Sequence, residues 1–273
     1  MMLSNPSAAE LCAFLGEVYC YEGAIYAMIE DMVRFKPKTK EKLKNAVDQW
    51  TNKICHKDAL VRYGPIEIWN TILITDMSNL FNNKHEFNDN INGWDVSRVT
   101  NMEYMFKKCI KFNQPLGSWD VSSVEYMAYM FYDCKDFNQS LNKWNVSSVT
   151  DINYMFHNCH EFNQPLNEWD VSSVENMNGM FCDCEKFNQP LNSWDVSIVN
   201  CMLSMFEYCS EFNQPLDKWD VSSVTNMESM FEGCRSFNQP LNSWDVSSVT
   251  NMESMFEGCF KFYQSLENGM LVL

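Results

Sequence analysis

The chain has 273 residues, of which 46% are hydrophobic and 14% aromatic, and this apolar content excludes an intrinsically disordered protein. The net charge is −16, and all of it comes from residues 67–273, which carry eleven Lys and Arg residues against twenty-eight Asp and Glu residues. A surface this acidic repels phosphate backbones and anionic headgroups, so we expect neither nucleic acid nor a membrane as a partner.

The N-terminal segment is not typical of a secretory signal peptide. It has no basic region, and Glu10 and Glu17 interrupt its apolar residues. The sequence also contains no run of the roughly 18 apolar residues that a membrane-spanning helix requires. We therefore expect an intracellular protein, either cytoplasmic or within a virion, whose twelve cysteines are free thiols.

Helical signals come first along the chain. Residues 7–33 carry apolar residues at helical intervals, and a second helix is predicted at about Lys40–Cys55, after the helix breaker Pro37. We interpret residues 1–66 as a helical N-terminal cap, because the first unit of a repeat array needs a cover.

A 25-residue repeat occupies residues 67–273. Its clearest copy, FNQPLNSWDVSSVTNMESMFEGC, is residues 237–259, and eight units fit the sequence, the first of them degenerate. The tryptophans that mark the period without an insertion are Trp69, Trp94, Trp119, Trp144, Trp169, Trp194, Trp219 and Trp244.

The apolar residues of one unit predict a short strand followed by a short helix. Leu241, Trp244 and Val246 match the L-x-x-W-x-V pattern of a strand, and the apolar positions from Val249 to Cys259 follow helical spacing. The predicted fold is therefore an α/β solenoid, a right-handed leucine-rich-repeat-like stack of about eight strand-helix units.

These motifs resemble the repeat of the BspA-like leucine-rich repeat family, with its DUF285-type 25-residue repeats, over residues 67–266. The family occurs in bacterial surface proteins, protists and giant viruses. The resemblance implies an interaction or adhesion module without known catalysis.

In a stack, each repeat position becomes a column of stacked side chains. We expect the Cys and Met columns to fill the core, and the Asn column that contains Asn163 to hydrogen-bond the backbone of adjacent units. His157 and Cys182, which share a column, and Cys184 are a candidate metal cluster, although we interpret them as ordinary variable positions and assign no metal ligand or cofactor.

One acidic column is predicted on the open face of the stack. Its carboxylates are expected to accept hydrogen bonds from the backbone of the following serines, and a cation-binding stripe is the alternative. The column consists of Asp95, Asp120, Asp170, Asp195, Asp220 and Asp245.

The positions that vary between units suggest the binding surface. Aromatic residues cluster in the N-terminal half of the array. Exposed tyrosines favour contacts with a protein partner, and the alternative is that these rings are partly buried between units. The predicted partner-binding residues are Tyr104, Tyr129, Tyr154, Tyr126 and Tyr132.

The sequence contains no catalytic motif, so we expect a non-catalytic protein-protein interaction scaffold whose partner it does not identify. One alternative is a structural component of a larger assembly, such as a virion or surface layer, that self-associates through the apolar C-terminal residues Gly269–Leu273. The other is an adhesin or glycan-binding surface protein.

Overall fold

The computed structural model describes residues 34–265. The helix predicted over residues 7–33 and the C-terminal residues Gly269–Leu273 lie outside the described residues. Helix α1 spans Lys40–Thr51 and helix α2 spans His56–Tyr63, followed by a 3-10 helix at Ile66–Ile68. The predicted second helix therefore ends at Thr51 rather than Cys55. Neither helix has the length and apolar character needed to cross a bilayer.

Helix α1 packs against the first repeat unit. Its Trp50 indole N–H donates to the Asp89 carboxylate at 2.9 Å, and the Trp50 ring meets Trp69 edge-on at 5.9 Å. The Lys40 ammonium forms an ion pair with Asp76 at 2.9 Å. Apolar contact and charge pairing together hold α1 on this end of the array. The buried side chains of α1 are Leu43, Ala46, Val47 and Trp50.

Successive units lie directly against one another. The rings of Phe106 and Phe131 stack with centroids 5.5 Å apart, and those of Trp119 and Trp144 stack at 6.4 Å. One parallel β-bridge joins each pair of neighbouring units, so residues 25 apart are nearest neighbours. The bridged column is Asp76, Asn101, Tyr126, Asp151, Asn176, Cys201, Asn226 and Asn251.

The core consists of these stacked columns, and their polar atoms are paired across units. The Trp119 indole N–H donates to the Ile91 carbonyl at 3.2 Å, and the Cys159 thiol donates to the Phe131 carbonyl at 3.0 Å. Burial raises the pKa of the Cys159 thiol well above its usual value. All ten cysteines in the described part of the chain are free thiols, and the predicted packing role of the Cys column is confirmed.

The predicted strand-helix unit is wrong. Between residues 69 and 265 the structure contains no strand and no helix, so the chain is not an α/β solenoid of strand-helix units. Each unit is a series of turns. In the segment predicted as a strand, Trp94 N–H donates to Ile91 O at 3.0 Å and Val99 N–H donates to Val96 O at 2.9 Å.

The segment predicted as a helix fails to form one because its backbone donors alternate between two kinds of acceptor. Met105 N–H donates to Met102 O, three residues back, at 3.1 Å. Tyr104 N–H, however, donates to Ala128 O of the next unit at 3.0 Å. Tyr104 also has a φ of 57°, which belongs to tight turns and interrupts a right-handed helix. Apolar residues spaced by three thus mark consecutive turns.

The asparagine column bonds neighbouring units as predicted. The Asn163 side-chain oxygen accepts from Asn188 N–H at 3.0 Å and from the Gln189 side-chain amide at 2.9 Å. The same pair of bonds recurs along the array, for example at Asn138. One amide oxygen therefore satisfies two donors of the following unit.

We predict that Asn163→Ala lowers the free energy of unfolding by about 1–3 kcal/mol, because it leaves two donors without their acceptor. Urea denaturation followed by tryptophan fluorescence measures the change. Asn167→Ala is the matched control, since Asn167 belongs to the same unit and its side chain is exposed. Equal stability of the two variants would contradict the role assigned to the column.

Candidate interaction surface

Three of the predicted binding residues form one stacked ladder. The ring centroids of Tyr104 and Tyr129 lie 4.8 Å apart, and those of Tyr129 and Tyr154 lie 5.0 Å apart, with the rings nearly parallel. All three side chains are partly exposed. We call Tyr104, Tyr129 and Tyr154 the tyrosine ladder. The contact expected from their common repeat position is thus present.

The tyrosine ladder sits on an unusual backbone position. The φ angles of Tyr104, Tyr129 and Tyr154 are 57°, 58° and 52°, in the left-handed region that bulky residues rarely adopt. The same column continues with smaller residues that share this conformation, Gly179, Ser204, Ser229 and Ser254. The backbone therefore does not require tyrosine at this position.

A lysine covers the ladder. The Lys107 ammonium lies 5.1 Å from the ring centroids of both Tyr104 and Tyr129, and 4.7 Å from that of Tyr132. These distances are typical of cation–π contacts. Burial is the largest of the effects that raise the pKa of Tyr129 and of Tyr132, so both phenols stay neutral and able to donate hydrogen bonds. Sequence reasoning missed Lys107, although it shares a column with Tyr132.

The other end of the ladder is closed by a glycine. A Cβ atom on Gly179 would lie 2.3 Å from Cε1 of Tyr154, so the Tyr154 ring covers the Gly179 backbone. Any side chain at this position would displace the ring. Gly179 therefore ends the ladder while keeping Tyr154 packed flat against the next unit.

The remaining two predicted tyrosines differ in placement. Tyr132 contacts Tyr129 with ring centroids 5.8 Å apart and stacks on the His157 ring at 4.4 Å. Tyr126 is 42% exposed and occupies the bridged column, and it makes no ring contact within residues 34–265. The surface thus comprises the ladder, Tyr132 and Lys107, with Tyr126 apart from it.

The acidic column is exposed, and its side chains bond as predicted. Asp95 Oδ1 accepts from Ser97 N–H at 3.0 Å and from the Ser97 hydroxyl at 2.7 Å. Asn145, which replaces aspartate in this column, accepts the same two bonds from Ser147 at 3.2 and 2.8 Å. The turn therefore needs an oxygen acceptor more than it needs a charge. The column's role as a binding stripe stays a prediction.

A histidine, a cysteine and an aspartate meet beyond Tyr132. A ring nitrogen of His157, Cys182 Sγ and a carboxylate oxygen of Asp183 all lie within 4.8 Å of one another. Cys184, the expected third member, is elsewhere: its thiol is buried and donates to Phe156 O at 2.9 Å. Asp183 takes its place because Cys184 points into the core.

Comparison with protein families identifies this repeat. The family model described as "Mycoplasma protein of unknown function, DUF285" matches residues 42–169 and 150–269. The chain belongs to the DUF285 family. The resemblance seen in the repeat motif is thereby confirmed. Neither a curated protein nor a solved structure matches the chain.

The match to the DUF285 model begins inside helix α1, at residue 42, and continues through the array. It includes every residue of the tyrosine ladder and of the cluster at His157. The family description assigns no activity to DUF285 proteins.

We predict that the acidic column makes stability depend on pH. Hydrogen bonds from Ser122, Ser197 and Ser222 lower the pKa of Asp120, Asp195 and Asp220. The folded-state pKa values thus lie below the ordinary value of about 4. Their contribution is present above that value and is lost as the pH falls through the folded-state pKa.

The triple variant Asp120→Asn/Asp195→Asn/Asp220→Asn should lose less stability than the wild type between about pH 5 and pH 3. Asn145→Asp adds one such carboxylate and should lose more. Urea denaturation at each pH gives the comparison, and identical losses in all three proteins would exclude this origin of the pH dependence.

Proposed function

We propose that this chain is a non-catalytic protein-binding scaffold whose partner docks on the tyrosine ladder and Tyr132. The observation that carries the proposal is the stack of three partly exposed tyrosines at positions where the array elsewhere has asparagine, glycine or serine. Because the backbone tolerates the smaller residues, the aromatic rings supply something beyond folding.

The ladder has the properties of a binding surface. Tyrosine offers a large apolar ring and a polar hydroxyl group, and it is enriched among the residues that dominate binding energy. Stacking holds each ring between its neighbours, so little side-chain entropy remains to be lost when a partner binds. The ladder is therefore preorganised.

Charge indicates the chemistry of the partner. The repeat array is strongly acidic, which favours a partner whose contact surface is basic. The position of Lys107 shows that a cationic group fits over these rings. We propose a protein partner that presents arginine or lysine side chains beside the ladder.

The test replaces the ladder with the residue that the chain itself uses in this column. The variant Tyr104→Ser/Tyr129→Ser/Tyr154→Ser copies Ser204, Ser229 and Ser254, whose φ angles are 54°, 51° and 55°. Crosslinking of the full chain in its native source, followed by mass spectrometry, identifies the partner. Calorimetry with the purified partner should then show affinity at least about tenfold weaker, equivalent to about 1.4 kcal/mol.

Tyr208→Ser is the matched control. Tyr208 is 45% exposed, has a φ of 56° and lies outside the ladder, where its hydroxyl donates to Glu232 at 2.8 Å. This variant should bind like the wild type. Unchanged binding by the triple variant, or an equal loss in the control, would refute the proposed surface.

A further inference from the structure

One column changes its chemistry along the array. It includes Lys107, Tyr132, His157, Cys182 and Glu207, which are spaced by 25 residues in successive units. The first two belong to the tyrosine surface. The last three have the nitrogen, sulfur and oxygen atoms that bind transition metals.

The distances in this cluster suit a metal site. A ring nitrogen of His157, Cys182 Sγ and a carboxylate oxygen of Asp183 all lie within 4.8 Å of one another, and Cys182 Sγ lies 3.7 Å from Asp183 Oδ2. Glu207 Oε2 lies 3.6 Å from Cys182 Sγ but is not one of this mutually close set. Zinc bonds of about 2.0 Å to nitrogen or oxygen and about 2.3 Å to sulfur place the ligands of a tetrahedron about 3.5 Å apart, so binding would draw the three ligand atoms closer together.

One ring nitrogen of His157 lacks a partner. His157 Nδ1 is buried, and no hydrogen-bond partner for it exists among the described residues. The ring is fixed by stacking on Tyr132 and by an edge contact with Tyr154 at 5.8 Å.

The charge of the cluster also favours a cation. A single thiol proton at Cys182 cannot serve both carboxylates, and the ion pairs of residues 34–265 include neither Asp183 nor Glu207. Two carboxylates therefore face a buried thiol, and neither has an ion-pair partner among the described residues.

We infer that His157, Cys182 and Asp183 form a zinc site that links two consecutive units. The three protein ligands are one nitrogen, one sulfur and one oxygen, which suits a borderline-soft, tetrahedral divalent ion better than Mg²⁺ or Ca²⁺, with the fourth position open to water. Binding deprotonates the Cys182 thiol and releases its proton to solvent. The tyrosine surface lies beside the site, since Tyr132 stacks on the His157 ligand.

Cobalt(II) is the probe, because it takes the place of zinc and its absorption reports thiolate bonding and tetrahedral geometry. The full chain, stripped of metal and kept reduced with a phosphine, should bind one cobalt ion with a sulfur-to-cobalt charge-transfer band, and Zn²⁺ should displace it. Cys182→Ser should abolish the band. Asp183→Asn should raise the Kd at least about 100-fold, more than the 10–100-fold typical of losing a group that only orients a ligand.

Two controls separate this site from other thiols and from misfolding. Cys55→Ser removes a partly exposed cysteine outside the site and should leave the titration unchanged. Asp183→Asn keeps a residue type that tolerates the local φ of 58°, so its fold should survive, as near-ultraviolet circular dichroism would show. The site is refuted if the wild type shows no charge-transfer band, or if Cys182→Ser or folded Asp183→Asn binds as tightly as the wild type.

Discussion

The array depends on hydrogen bonds between backbone groups of neighbouring units. In the turn segment, Tyr104 and Phe106 donate to carbonyls of the following unit at 3.0 and 2.9 Å, while Met105 and Lys107 donate within their own unit. An isolated unit would leave the donors that bond the following unit without acceptors, at a cost of about 1–3 kcal/mol for each buried group. With a period of 25 residues, each of these donors lies opposite its acceptor in the next unit, which explains why the period is constant along the array.

Side chains of the interior columns also form hydrogen bonds between units, whereas the side chains of the surface columns are not required for this. The Trp119 indole and the Cys159 thiol add a buried bond across each junction, so these positions tolerate little change. At the tyrosine ladder, by contrast, only the φ angle is prescribed, and tyrosine, serine and glycine all meet it. The residue type therefore varies at positions where the side chain faces outward and only the backbone bonds the neighbouring unit.

Much of the arrangement could be read from the sequence, because a strict period assigns neighbours without knowledge of the backbone. The stacking of Tyr104 on Tyr129, the pair of hydrogen bonds that Asn163 accepts and the turn at Asp95 were all predictable in this way. The absence of a helix from each unit was not predictable, because apolar residues spaced by three fit consecutive turns as well as they fit a helix. A signal was present in the column that also contains Lys108 and Tyr208, because its six other members are residue types that accept a positive φ: Asn83, Asp133, Asn158, Asp183, Gly233 and Gly258.

The candidate sites were only partly predictable for a related reason. Contacts within one column follow from the period, but contacts between columns depend on where each side chain points. Lys107 over Tyr104 and Asp183 beside Cys182 are contacts of the second kind. Cys184 was wrongly grouped with His157, although its place in the cysteine column already predicted a thiol that points into the core.

The reliance of each unit on its successor restricts how the gene can change in length. Inserting one codon within the array would move the donors whose bonds span the insertion away from their acceptors, although units farther along would keep their own spacing. Duplicating or deleting a whole unit preserves every junction, because the Asn163 bond to Asn188 has the same form as its counterpart at Asn138. Unequal recombination can therefore lengthen or shorten such a protein in single units, and so change the reach of its surface without redesigning the fold.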